Sequence, residues 1–184
     1  LLNPLPIPGR RFGRWSIDFM TNLPLCNGFN AIMTCIEGVL GYMRLVPCFM
    51  GEGELSAEQV AHLFFENVVR TFGLPDEVLQ DRDPRFTADF WRLLWDKLGS
   101  RAVFSSAYHP QTDGKAERAH RTIEQAIRCM LAEHSLPPDD WCKVLGTLEL
   151  GLNSANAEST GTPPALGAFG ELPRLPVDVL VGAG

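Results

Sequence analysis

Paired metal-binding or disulfide spacings are what this chain of 184 residues lacks first: its five cysteines form no C-x-x-C and its four histidines no H-x-x-x-H. An odd cysteine count without paired spacing signals neither a disulfide framework nor a zinc knuckle. Cys26, Cys35, Cys48, Cys129 and Cys142 therefore read as small apolar residues of a reducing compartment. Long apolar runs are also missing; none approaches the ~20 residues a membrane helix needs, so no membrane partner is expected. The segment from Leu1 to Arg10 has no basic stretch ahead of an apolar core, which is not the pattern of a signal peptide. Its Pro-rich start without Met reads as a segment excised from something longer. An excess of basic residues is absent too. Sixteen Lys and Arg against 22 Asp and Glu leave a net charge of −6, which argues against unaided nucleic-acid binding, because affinity for phosphate comes largely from cations.

What is present is enough for one ordinary domain. The 45% hydrophobic content excludes general disorder, and a chain of this length buries roughly 70% of its unfolded surface. After an extended arm, Trp15, Ile17 and Phe19 alternate with Ser16, Asp18 and Met20, the period of a strand. Turn residues Asn22 to Gly28 precede an apolar run from Phe29 to Ile36, and Gly38 and Gly41 separate it from a third, Met43 to Phe49. Three strands in a meander are predicted. Ser56 with Gln59 forms a capping box for a helix carrying Val60, Leu63, Phe64, Asn67 and Val68, which Gly73-Leu74-Pro75 stops. Glu77 to Gln80 is a fourth strand, Thr87 to Gly99 a helix, and Arg101 to Ser105 a fifth strand. A polar loop from Ser106 to Gly114 then leads into a long helix from Lys115 to His134. A further helix opens at Pro137-Pro138-Asp139-Asp140 and runs to Asn153, and Thr162-Pro163-Pro164 starts a short one. This order predicts an α/β fold with helices layered on a mixed sheet of five strands.

Three acids stand out. Asp18 lies inside a strand expected to be covered on both faces, where a carboxylate must be paired, hydrogen-bonded or metal-bound; a strand-end position with a bond to a loop would also satisfy it. Asp81 follows the apolar strand residues Val78 and Leu79, at the carboxyl end where ligands collect in open α/β sheets, although turn chemistry explains an Asp near Pro84 as well. Glu117 is expected in the first turn of the long helix. There Ala116, Ala119, Ile123, Ala126, Ile127, Met130 and Leu131 form the core stripe, and Glu117, Arg121, Glu124 and Arg128 a polar one. That polar stripe suits a solvated face with two ion pairs. It equally suits a helix start where Lys115, Arg118 and Arg121 meet phosphates. Glu117-x-x-His120 matches one half of a di-iron ligand pattern, without its mate. The 35 residues between Asp81 and Glu117 say little alone, since 22 acids in 184 positions put an acid at any fixed offset one time in eight.

The local sequence says more. Trp15-Ser16-Ile17-Asp18-Phe19 with Leu23-Pro24, then Phe72-Gly73-Leu74-Pro75, then Asp81-Arg82-Asp83-Pro84-Arg85-Phe86-Thr87 with Phe90-Trp91 occur in order. Tyr108-His109-Pro110-Gln111-Thr112-Asp113-Gly114-Lys115-Ala116-Glu117-Arg118 follows, and Asn153 through Ser159-Thr160-Gly161-Thr162-Pro163-Pro164 closes the series. From about Leu5 to Pro176 the chain resembles the catalytic core of retroviral-type integrases, in particular those of Ty3/Gypsy-class LTR retrotransposons.

The resemblance implies an RNase H-like fold with strand order 3-2-1-4-5 and helices on both faces, spanning residues 13–170 between an arm (1–12) and a tail (171–184). It maps Asp18, Asp81 and Glu117 onto a catalytic and metal-binding D,D-35-E triad, and His109, Gln111, Lys115, Arg118 and Arg121 onto DNA contacts. Three converging carboxylates repel one another and need cations to stay ionised together. Oxygen donors select Mg²⁺ or Mn²⁺, and two such ions activate an attacking oxygen and stabilise the leaving one in a phosphodiester. The activity implied is 3′-end processing and strand transfer of retroelement DNA into target DNA in the nucleus, after a cytoplasmic stage, by a homodimer or higher oligomer. The apolar residues Val60, Leu63 and Phe64 and the helix of Trp141 are candidate interface pieces. The family's flanking zinc-binding and basic domains lie outside these residues. Departures also occur: Glu37-Gly38 and Leu40-Gly41 stand where basic residues are usual, Gln80 replaces a Ser, Lys115 replaces a Gln, and Ala165-Leu166 alters the tail. They favour a second possibility, a domesticated DNA- or protein-binding module whose catalysis is dispensable.

Overall fold

A computed structural model describes residues 9–51, 55–80, 98, 101–104, 110–157 and 160–175. The meander forms as the alternation demands: β1 (Arg14–Met20), β2 (Ala31–Glu37) and β3 (Met43–Cys48) pair antiparallel. Strand β4 (Glu77–Gln80) lies parallel to β1, and β5 (Arg101–Phe104) parallel to β4. The five strands run in the order β3-β2-β1-β4-β5, the order the resemblance implies. The predicted helix from Thr87 to Gly99 falls almost entirely outside the described residues.

The crossover from β3 to β4 begins with the predicted capping box, in which the Ser56 hydroxyl accepts from the Gln59 backbone and the Gln59 side chain from Ser56 N–H. The helix is not uniform. Helix α1 (Ala57–Phe64) passes into a π-helical turn (Phe65–Val69) before α2 (Arg70–Phe72) ends at Gly73, whose φ of 81° only glycine adopts without strain. In the π turn the Asn67 side chain donates to the Leu63 carbonyl at 2.9 Å, and Arg70 N–H reaches back five residues to the Phe65 carbonyl. Val60, Phe64 and Val68 are fully buried. Val60 and Phe64 are thus core rather than interface, and the same holds for Trp141, which is 1% exposed and donates from its indole to the Pro24 carbonyl.

Helix α3 (Pro110–Glu133) starts five residues earlier than predicted, absorbing the second half of the expected loop. Proline is well placed at a first helical position because its missing N–H would be unpaired there anyway, and the single Gly114 costs only about 1 kcal/mol relative to Ala. After a 3₁₀ turn (Pro138–Asp140), α4 (Trp141–Ser154) and the short α5 (Pro164–Phe169) follow, the last helices among the described residues.

Alternation along the strands divides the core in two. Odd-numbered residues of β1 and β2, such as Trp15, Ile17, Ala31, Met33 and Cys35, pack with Val60, Phe64 and Val68. Met20, Ile32 and Leu45 pack on the other face with Ile123, Ile127 and Leu131 of α3 and Val144, Leu145 and Leu148 of α4. Helices therefore cover both faces. Phe12, Trp15, Tyr42, Phe72 and Phe169 cluster at the amino-terminal end of β1, with Phe12 stacked on Phe72 at 4.8 Å between centroids and Tyr42 edge-on to Phe72 and Phe169. Among the described residues all five cysteines are free, three of them buried, and no helix is long and apolar enough to cross a membrane.

Candidate active site

Asp18 sits near the carboxyl end of β1, away from that aromatic base. Its even position turns it toward α3, as it does for Met20. The side chain is not buried, contrary to the expectation of cover on both faces: 41% of it is exposed. Layers packed on a twisted sheet diverge at strand ends, so a carboxylate there keeps water. One carboxylate oxygen, Oδ1, accepts the Phe19 N–H at 2.8 Å. The other, Oδ2, faces His120 Nε2 of α3 at 3.6 Å. Thr34, the cross-strand partner of Asp18, donates its hydroxyl to the Asp18 carbonyl at 3.1 Å and meets the same His120 nitrogen at 3.1 Å.

The parallel register pairs Ile17 with Gln80, the residues immediately before Asp18 and Asp81. Asp81 itself lies outside the described residues, as does His109. The backbone of α3 carries Gln111, Lys115 and Glu117, whose side chains lie outside the description, while Arg118 and Arg121 are exposed on it. Because α3 begins at Pro110, Glu117 lies about two turns in rather than in the first turn. The unpaired N–H groups of the helix start accordingly belong to residues before Lys115, so the helix-terminus argument for phosphate does not extend to Lys115, Arg118 or Arg121. Of the two expected ion pairs, Glu124 to Arg128 forms at 2.5 Å. The one assigned to Glu117 lies outside the described side chains.

A divalent cation here would need oxygen donors, and an exposed carboxylate at a strand end is one suited to Mg²⁺ or Mn²⁺. Among the described residues no group of three His, Cys, Asp or Glu side chains gathers, two of the expected ligands being outside them. The neighbour that the spacing argument undervalued is His120. Its one available signal was its place one turn beyond Glu117 and one turn before the core residue Ile123, where a histidine interrupts an apolar stripe.

No model of a known protein family matches the chain. Among curated proteins it is 33% identical over 163 residues to the transposon Tf2-3 polyprotein of Schizosaccharomyces pombe, and equally to the Tf2-4 polyprotein. Those matches take in 89% of this chain, which spans about 12% of the length of either relative. Among solved structures, the HTLV-2 integrase catalytic core domain in complex with magnesium superposes with a TM-score of 0.63 at 13% identity, over 85% of this chain and 96% of that one. The catalytic core domain of BIV integrase gives 0.63 at 21% identity over 86% and 95%. Likeness at such identities is one of fold, and that fold is RNase H-like. The chain is thus homologous to a segment of the Ty3/Gypsy-class Tf2 polyproteins and has the architecture of a retroviral integrase catalytic core.

Proposed function

We propose that this chain is the metal-dependent polynucleotidyl transferase core of a retroelement integrase, trimming DNA 3′ ends and joining them to target DNA. The observation that carries it is the meeting of three chain segments around Asp18. The Ile17–Gln80 pairing brings β4 alongside β1 one residue before each aspartate, and the contact of His120 with Asp18 seats α3 over the same strand end, three residues past Glu117. Homology to the Tf2 polyproteins supports the same reading.

Asp18, Asp81 and Glu117 would hold two divalent cations, whose chemistry is to activate the attacking oxygen and stabilise the leaving 3′-oxygen of the phosphodiester. The chain's own contribution is positional. Asp18 is fixed by Phe19 N–H on one side and His120 on the other, on a strand in the middle of the sheet. Arg118 and Arg121, exposed on α3 beside this end, supply cations for the DNA backbone; His109, Gln111 and Lys115 are assigned to the same strand path. Water attacks when an end is trimmed and the freed 3′-hydroxyl attacks when it is joined, so no Ser or Cys nucleophile takes part.

Joining two ends requires at least two protomers, and a solved relative is described as dimeric; a homodimer or larger assembly working on nuclear DNA follows. The test is Mn²⁺-dependent nicking and strand transfer on a labelled duplex, with Glu117→Gln as the control. Activity in the wild type alone supports the proposal. Equal behaviour of the two proteins with DNA binding retained replaces it with the binding-module reading. One observation favours that alternative: the turn where the resemblance implies basic residues is organised by Glu37, which is 1% exposed and accepts the Val39 and Leu40 N–H groups.

A further inference from the structure

We propose that His120 is a positioning residue that fixes the Asp18 carboxylate and sets how α3 seats on β1. The proposal rests on the reading of Asp18 as a metal ligand. Thr34 and Asp18 are cross-strand neighbours on the face that α3 covers. The Ile123–Ile127–Leu131 stripe of α3 packs on that face, and one turn before Ile123 the stripe continues with an imidazole whose side chain is 22% exposed.

The proton assignment follows from the hydroxyl. Thr34 is 1% exposed, and a hydroxyl has one hydrogen, which it gives to the Asp18 carbonyl. With that hydrogen on the carbonyl, the oxygen is free to accept at the 3.1 Å contact, which suits the His120 tautomer protonated on Nε2. The same ring edge lies 3.6 Å from Asp18 Oδ2, an electrostatic contact longer than a hydrogen bond, while Oδ1 accepts the Phe19 N–H. Rotation of the carboxylate would break the Phe19 hydrogen bond and carry Oδ2 away from the ring edge. One ring thus ties together the two strands, the carboxylate and the helix that carries Glu117. Outer partners of this kind orient a ligand at little cost when the cation arrives, and losing one typically lowers metal affinity or activity 10- to 100-fold.

The experiment measures Mn²⁺ affinity by electron paramagnetic resonance, kcat and KM for DNA nicking, and melting temperature, for the wild type and for His120→Ala, His120→Gln and Thr34→Val. Expected are a loss of about 10-fold or more in Mn²⁺ affinity and kcat for His120→Ala with KM for DNA unchanged. Recovery to within a few-fold is expected in His120→Gln, whose amide N–H reaches the place of Nε2. Thr34→Val should weaken Mn²⁺ binding in the same direction and be non-additive with His120→Ala; it decides the matter if the alanine variant does not fold. A wild type that binds Mn²⁺ and nicks DNA, with His120→Ala equal to it, overturns the positioning role alone. So does His120→Gln as poor as His120→Ala, or a nitrogen coupling to Mn²⁺ that His120→Ala removes, which would put the ring on the metal. A wild type that neither binds Mn²⁺ nor nicks DNA overturns the metal-site reading and this proposal together.

Discussion

Asn153 holds both backbone groups of Met43: its Oδ1 accepts the Met43 N–H at 2.8 Å and its Nδ2 donates to the Met43 carbonyl at 2.9 Å. Met43 opens β3, the edge strand beyond β2. One helical turn earlier on α4, Glu149 Oε2 accepts the Leu45 N–H at 2.7 Å. Two side chains four residues apart therefore cap the outward groups of alternate β3 residues, a row that would otherwise offer itself to another strand.

Replacing Asn153 by Ala should cost roughly 2–4 kcal/mol, because a buried donor and acceptor both lose their partner. For a chain of this size that is a fall in melting temperature of about 5–15 °C. Urea unfolding monitored by tryptophan fluorescence would measure it. A change under about 0.5 kcal/mol would show that water replaces the amide there.

Glu149 also pairs with Arg44 Nη1 at 2.5 Å, yet burial raises its carboxyl above the ordinary 4.5, outweighing the Leu45 N–H and the Arg44 charge. The sign follows from linkage: a carboxyl raised in the folded state holds its proton longer than in the unfolded chain, so its contribution to stability is present below 4.5 and lost as pH rises through the folded value. Asp76 behaves oppositely. The Arg10 guanidinium, donating at 2.7 and 2.8 Å, lowers it below its ordinary 3.8, so its contribution is present above 3.8 and lost as pH falls through the folded value. Carboxyl-carbon NMR titration should place Glu149 above and Asp76 below these values, and Arg10→Ala should return Asp76 alone. The opposite order would refute the assignment.

Glu37 is the most enclosed acid among the described residues, at 1% exposure, and its oxygens accept the N–H groups of Phe12, Val39 and Leu40. Glu37→Gln keeps one acceptor and turns an amide donor toward a backbone donor. It should lose about 2–3 kcal/mol and speed hydrogen exchange at Val39 and Leu40 at least tenfold. Unchanged exchange at both amides would remove Glu37 as the organiser of this turn.

Much of this architecture was legible because it follows a period. Alternation at Trp15, Ile17 and Phe19 marks β1, and the bounds of β4 are those the run Glu77 to Gln80 predicts. The π turn was not legible, since Val60, Phe64 and Val68 keep four-residue steps in either helix type and the Asn67–Leu63 bond leaves no mark on hydropathy. The start of α3 was obscured by a Pro and a Gly that usually signal loops, though Pro110 is tolerated at the first helical position. The spacing Glu117-x-x-His120 marks the histidine but not its role, because its partner Thr34 is 86 residues away and local spacing carries no information on such a contact. Asp18 was recognised from its context, but its exposure depends on how the layers open at the strand end, a property of packing.

That exposure leads to the last prediction. A carboxylate placed where other acids are expected to gather destabilises the metal-free chain by mutual repulsion, and cations that bind only the folded state reverse the effect. Asp18→Asn should therefore abolish nicking yet leave the metal-free chain as stable as the wild type or more so, the usual exchange of activity for stability at a functional site. Adding Mn²⁺ at a hundred times its dissociation constant should stabilise the wild type by about 2.7 kcal/mol, an increment that EDTA reverses and that Asp18→Asn lacks. Thermal melts with and without Mn²⁺ separate the outcomes. If Asp18→Asn melts lower than the wild type without metal and gains as much from Mn²⁺, the carboxylate serves the fold through Phe19 and His120, and metal binding lies elsewhere.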